Sequence, residues 1–330
     1  MALLLMDGFD AGDASLKWIS GNNTSSATGT RFNYGRSVGI QSGVFSRRFT
    51  ASSQIFVGLA MHISSLDGQV RPYVSLSADS GATIHLTIGY SNAALILYRG
   101  SVGGTVLGTY SAVFSPGTWY HLEVSATVAD AGGTCTVKLN GATVITYTGD
   151  TKNAGTSTNI DTLALGSNGG FTAYFDDVYV ANSTGSAPYN TFLGDVRVYA
   201  LSPSGAGTST QFTPSSGANY TTVDELPYSA TDYVSGTTIG LRDLYTMSDL
   251  PATANSVLAV QHNVVAKKAD AYPISMRPVI RSGASNYFGN TVSLGASDSV
   301  LQDLRTEDPA TTTAWTISGV NALEAGMETV

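Results

Sequence analysis

The stretch Thr134-Cys135-Thr136-Val137-Lys138-Leu139-Asn140-Gly141-Ala142-Thr143-Val144-Ile145-Thr146-Tyr147-Thr148 reads as two strands joined by two residues. β-Branched and apolar side chains alternate with polar ones on both sides of Asn140-Gly141, the period-2 pattern of a strand with one covered face. Asn-Gly takes the positive φ angles of a two-residue turn more readily than most pairs. The reading is therefore a β-hairpin with strands over Thr134–Leu139 and Thr143–Thr148. Cys135, between two threonines, reads as a small buried hydrophobe.

The same pattern continues outward. Strands are expected over Gln54–Ile63, Tyr73–Ser77, Thr83–Tyr90 and Ala93–Tyr98, with turn residues between them. In the run from Gly117 to Val124, Trp119, His121 and Glu123 share one face, and Tyr120, Leu122 and Val124 the other. Ile160–Leu165 and Tyr174–Val180 supply two more strands. The polar run Ala181–Pro188 then reads as a linker, which divides the chain into domains 1–188 and 189–330.

In the second half, strands are expected over Gly194–Leu201, Ser256–Lys267, Ile274–Ser282 and Thr291–Leu294. Ser202–Thr222 reads as a long loop or as weak edge strands. Short helices are expected at Leu241–Ser248 and at Ser318–Ala325, the latter with Ser318 as N-cap and Gly326 past its end. The fold class is all-β: a β-sandwich followed by a second β-sandwich-type domain with at most short helices.

Composition agrees. Only 12% of the 330 residues are charged and five are glutamate, too few for long solvated helices. A net charge of −8 excludes a nucleic-acid binder, which needs clustered Lys and Arg against phosphates. The single cysteine cannot form an internal bridge. The N-terminus lacks the basic flank and apolar run of a signal peptide, and no transmembrane stretch is present. The chain is expected to fold in a cytoplasm without membrane insertion.

The segments Gly117–Glu123, the strand ending in Asn140-Gly141, and Phe175-Asp176-Asp177-Val178-Tyr179-Val180 together resemble the concanavalin A-like lectin/glucanase or laminin-G-like jelly roll. Met6-Asp7-Gly8-Phe9-Asp10 looks like the first strand of such domains, which pairs with the last. The second half resembles the C-terminal portion of tailed-bacteriophage virion proteins of the minor tail type. That resemblance rests on Leu193–Val198, on Val223-Asp224-Glu225 with Asp232-Tyr233-Val234, on Asp308–Thr311 with Trp315, and on Asn321–Gly326. It implies residence in a virion, on the tail or capsid surface, with other virion proteins as partners and a homo-oligomeric assembly.

Catalysis is not expected. Glycoside hydrolysis needs two carboxyl groups about 5–9 Å apart. Glu123 is the only glutamate in the first 200 residues, and no carboxylate lies two or four positions from it. His62, His85, His121 and His262 stand singly on separate strands and read as outward-facing. They give no metal-ligand spacing.

Structural calcium is common in the resembled fold, and it implies Asp176 or Asp177 joined by Asp7 or Asp10. The reading preferred to calcium is an Asp that caps a turn or bonds backbone at the sheet edge. Tyr73, Tyr90, Tyr98 and Tyr110 are candidate glycan or interface aromatics, and of these readings ordinary strand and interface use is preferred to a sugar-binding platform. The leading functional reading is a virion structural component, a minor tail or decoration protein, acting through protein contacts. A host-surface glycan- or receptor-binding module is the alternative, and a polysaccharide depolymerase ranks behind both.

Overall fold

The computed structural model describes residues 3–11, 14–20, 24–27, 31, 35–65, 67–91, 93–111 and 114–330. The chain forms two compact units, one of Met1–Phe9 with Lys17–Val198 and the other of Asp10–Leu16 with Tyr199–Val330. Residues 189–198, which the sequence reading assigned to the second half, cluster with the first unit.

The strands of the first unit are β1 (Leu3–Asp7), β2 (Ile19–Ser20), β3 (Thr24–Ala27), β4 (Ser37–Ser52), β5 (Gln54–Ile63), β6 (Arg71–Ala78) and β7 (Thr83–Ser91). They continue as β8 (Ala94–Arg99), β9 (Thr105–Ser111), β10 (Trp119–Thr127), β11 (Gly133–Leu139), β12 (Ala142–Gly149) and β13 (Ile160–Asn182). Hydrogen bonding runs β12-β11-β10-β5-β13-β6-β7-β8-β9, with β1 and β4 also on β13.

The long strand β13 serves two layers. Its first half pairs with β6 and its second half with β5, and the register shifts between Asn168 and Ala173. Such irregularities bend a strand. One layer is thus β12, β11, β10, β5 and the end of β13; the other is the start of β13 with β6 to β9.

The core lies between these layers. Ile55, Val57, Leu59, Met61 and Ile63 of β5, with Leu122, Val124 and Ala126 of β10, face Leu163, Leu165, Val74, Leu76 and Ile88, all of them buried. Rings cross from layer to layer: Tyr73 of β6 lies 6.3 Å from Phe175 of β13. The far edges close at Gly108 of β9, where a Cβ would come within 2.6 Å of Ile145 on β12. The fold is a jelly-roll β-sandwich, and β1 pairs with β13 as the resemblance implies.

The Asn140-Gly141 hairpin is present, with φ of 49° and 82° at its two turn residues. Cys135 is buried in it.

The second unit is also β-rich. A six-stranded sheet runs Pro203–Thr210, Arg242–Met247, Glu324–Thr329, Ser275–Ser282 and Ser285–Phe288, with Val292–Ser293 on Ser275–Ser282. A ribbon of Val260–Ala266 with Ser299–Arg305 covers one core, where Val264 and Leu301 meet Tyr245, Met276 and Met327.

Three expectations are corrected here. Residues 241–248 are not helical: Arg242–Met247 is an inner strand, and burial of consecutive Asp243, Leu244 and Tyr245 on both faces erases the alternation. The C-terminal helix spans only Ile317–Asn321, and its N-cap is Thr316, whose hydroxyl accepts from the Gly319 N–H, rather than Ser318. Gly326 belongs to the central strand, where a Cβ would lie 2.0 Å from the Asp243 carbonyl oxygen. Finally, residues 194–201 form no strand.

Candidate functional site: an aromatic row beside a buried polar row

Strand alternation turns Trp119, His121, Glu123 and Ser125 of β10 away from the core, opposite Leu122 and Val124. Register carries this face across three strands. Trp119 pairs with His62 and His62 with Tyr174; His121 pairs with Ala60 and Ala60 with Asp176; Glu123 pairs with Gly58 and Gly58 with Tyr179. Three rows result, each perpendicular to the strands.

The first row is aromatic and partly exposed. The His62 ring centroid lies 5.2 Å from Trp119 and 5.1 Å from Tyr174, with interplanar angles of 31° and 48°. Three rings thus stand side by side as a twisted shelf. Burial pushes the His62 imidazole below its ordinary pKa, so the central ring is neutral near pH 7.

The third row is covered by residues 192–198, which cross it as a strap. Glu123 Oε1 accepts from the Tyr179 hydroxyl at 2.6 Å and from the Gly194 N–H at 2.9 Å. The Tyr179 oxygen in turn accepts from the Leu193 N–H at 3.0 Å. Burial, then the Glu123 carboxylate, push the Tyr179 phenol well above its usual range. The ring fits because position 58 is glycine: a Cβ there would lie 2.0 Å from Tyr179 Cε1. Next along the face, Phe192 of the strap packs edge-on against Phe56, centroids 5.5 Å apart, beneath the Lys138 ammonium.

Between aromatic row and strap lies His121, 2% exposed. Among the described residues neither of its ring nitrogens has a hydrogen-bond partner. An unsatisfied buried polar group of this kind costs on the order of 1–3 kcal/mol. Burial lowers the His121 pKa, opposed by the carboxylates of Asp195, Glu123 and Asp177 and reinforced by Arg31.

Asp177 sits at φ 51°, in the irregularity where the β13–β5 register shifts. Burial raises its pKa against the bonds it accepts from the Val198 N–H (2.8 Å) and from Arg31 (3.0 Å). Arg31 also holds Asp195.

These contacts revise the metal expectation. The bulge interrupts the alternation that would separate Asp176 from Asp177, and Asp176 accepts from the Asp177 N–H. Asp7 accepts from the Lys17 ammonium at 2.6 Å, the Trp18 indole at 2.8 Å and the Phe9 N–H at 2.9 Å. Lys17 and Arg31 pair with Asp7 and Asp177, the positions of the calcium alternative, and this donor set does not fit calcium. Asp10 lies in the other unit. Among the described residues no group of three or more His, Cys, Asp or Glu could hold a metal ion.

The glycan or interface reading is overturned for three of the four tyrosines. Tyr73 and Tyr90 are core residues, their centroids 5.5 Å apart, and Tyr98 is buried with its ring over Gly89. Only Tyr110 of the four is exposed, because the other three strands are covered on the faces that carry them. His85 and His121 are likewise buried rather than solvent-exposed, His121 on the outer face of its strand. The sequence reading placed Trp119 and His121 on one face but did not join them to His62 and Tyr174. Only strand register does that.

The class these observations define is a jelly-roll β-sandwich carrying a second β-rich unit. No family model matches the sequence, and no curated protein matches it. Among solved structures, "Cellulose induced protein, Cip1" is 16% identical with a TM-score of 0.45, the match covering 58% of this chain and all of that one. The endo-beta-1,4-glucuronan lyase from Trichoderma reesei is 11% identical with a TM-score of 0.36, covering 48% of this chain and 87% of that one. The carbohydrate binding module CBM66 from Bacillus subtilis is 15% identical with a TM-score of 0.36, covering 50% and 95% respectively. Each is a likeness of fold.

Proposed function

We propose that the first unit is a non-catalytic recognition module that binds a glycan on the row Trp119–His62–Tyr174, and that the chain is a component of a tailed-phage virion docked through its second unit. The observation that carries the glycan reading is the row itself. Adjacent, partly exposed aromatic rings give a local apolar surface against which sugar C–H groups can pack.

Lack of catalysis is supported by the state of Glu123, the one glutamate of this unit, which is buried and held by Tyr179 and Gly194. Assembly through protein contacts is supported by exposed apolar side chains in the second unit, Ile239 at 72% and Tyr272 at 77%. The virion assignment rests on the sequence resemblance.

Glycan-array binding tests the first part: Trp119→Ala and Tyr174→Ala are expected to lose the signal that Tyr110→Ala retains. Equal signals from all three variants would overturn it. Mass spectrometry of purified particles tests the second part, which fails if this chain is missing from them.

A further inference from the structure

Resting on the reading of the second unit as the one that docks, we infer that one face of its sheet carries a carboxylate-binding site, Arg242 and Arg277 beside Phe288, that takes an acidic segment of a protein partner. Tyr245, Met276, Ile280, Ala325 and Met327 turn toward the two cores of this unit. Alternation therefore sends Arg242, Glu328 and Arg277 to the opposite face. Register sets them side by side: Arg242 pairs with Glu328, and Glu328 with Arg277. Further along the same face Glu324 pairs with Arg281. Pro203–Thr210, Ser285–Phe288 and Val292–Ser293 bring no charged residue to the sheet. Three guanidiniums thus oppose two carboxylates on this face, a local cationic surplus in a chain of net charge −8.

The donors left over have a definite shape. A guanidinium has five N–H groups in a rigid plane. Arg242 meets Glu328 Oε2 through Nε at 2.7 Å and through Nη2, and Arg277 meets Oε1 through Nε at 3.0 Å and through Nη2. Among the described residues neither guanidinium makes a further hydrogen bond. Each keeps its Nη1–Nη2 edge, a second fork that fits a carboxylate.

These forks are reachable. The two arginine side chains are 27% and 28% exposed, while Glu328 between them is buried. Phe288, 38% exposed, holds their planes: the Arg277 and Arg242 Cζ atoms lie 3.8 and 5.3 Å from its ring centroid. Asp303, which lies against Gly289, is taken by Arg305 and does not fill the site. A surplus of one charge matches a single carboxylate better than a phosphate dianion, and the exposed ring gives an apolar rim for the partner's neighbouring side chain.

Surface plasmon resonance of the full chain over immobilised peptides tests this, with leucine alternating with aspartate, asparagine or lysine. The aspartate peptide is expected to bind about tenfold more tightly than the asparagine peptide, and the lysine peptide not at all. Arg242→Lys and Arg277→Lys keep a cation beside Glu328 but lose the fork, so each should weaken aspartate-peptide binding about tenfold with little change in the thermal melt. Lys267→Gln, which removes a cation elsewhere in this unit, should leave binding unchanged. Should a lysine variant fail to fold, the peptide comparison and competition by acetate against inorganic phosphate decide with the wild type.

Equal binding of the aspartate and asparagine peptides overturns the inference. So does an equal loss in Lys267→Gln, which would mean that net charge alone is read. Stronger competition by phosphate than by acetate overturns the carboxylate assignment. A chain found in purified particles that shows none of these preferences leaves the docking reading standing and removes the site.

Discussion

Gly58→Ala tests the geometry that seats the strap. The new methyl would lie 2.0, 2.5 and 2.8 Å from three ring carbons of Tyr179, so the ring must leave. Overpacking a filled site costs about 1–3 kcal/mol. Displacing the ring also breaks its bond to the Glu123 carboxylate, of a kind worth about 1.5–3 kcal/mol. The expected loss is about 3–5 kcal/mol from the first unit, with faster hydrogen exchange at residues 192–198. Urea denaturation combined with hydrogen-exchange mass spectrometry reads the two units separately. The decisive comparison is a double-mutant cycle. In a Tyr179→Ala background no ring remains to clash, so Gly58→Ala should cost under about 1 kcal/mol or stabilise slightly, since Gly in a strand is intrinsically unfavourable. Additive costs would refute the reasoning, because the penalty would then come from somewhere other than the ring.

Three further outcomes are expected. Lys17→Met removes the ammonium that bonds the buried Asp7 carboxylate, leaving Arg47 as a charge that still bears on it, and should destabilise the first unit by up to about 3–5 kcal/mol in urea titration, the range for breaking one side of a buried pair. Asp243 accepts from the Phe212 N–H, the Asn219 amide and the Tyr245 hydroxyl, so Asp243→Ala should lower the melting temperature of the second unit while leaving first-unit exchange unchanged. Burial pushes the His262 imidazole from 6.5 down to about 4. The unfolded chain therefore takes up the proton first: the stabilising contribution is whole above about pH 6.5 and is lost as pH falls toward 4, and replacing His262 by Phe should flatten stability over that window.

Local chemistry was legible wherever a residue type forces a backbone state. Asn140-Gly141 announced its hairpin because few other pairs take two positive φ angles without strain, and the alternation around Trp119 announced which side chains share a face. Leu241–Ser248 misled because an inner strand buried on both faces loses its period, and Gly326 misled because a glycine admitted by a close carbonyl oxygen looks, in sequence, like one that ends a helix.

The candidate site lay beyond such signals. Trp119, His62 and Tyr174 are 57 and 55 positions apart in sequence, and they become neighbours only through the antiparallel registers of β10, β5 and β13. The four tyrosines singled out from sequence were equally plausible as a surface, and layer packing buried three of them. Periodicity determined that this chain is built of strands and which residues alternate. Register and layering, set by the fit of the whole core, decided which alternating faces meet water and which aromatic and polar side chains stand together.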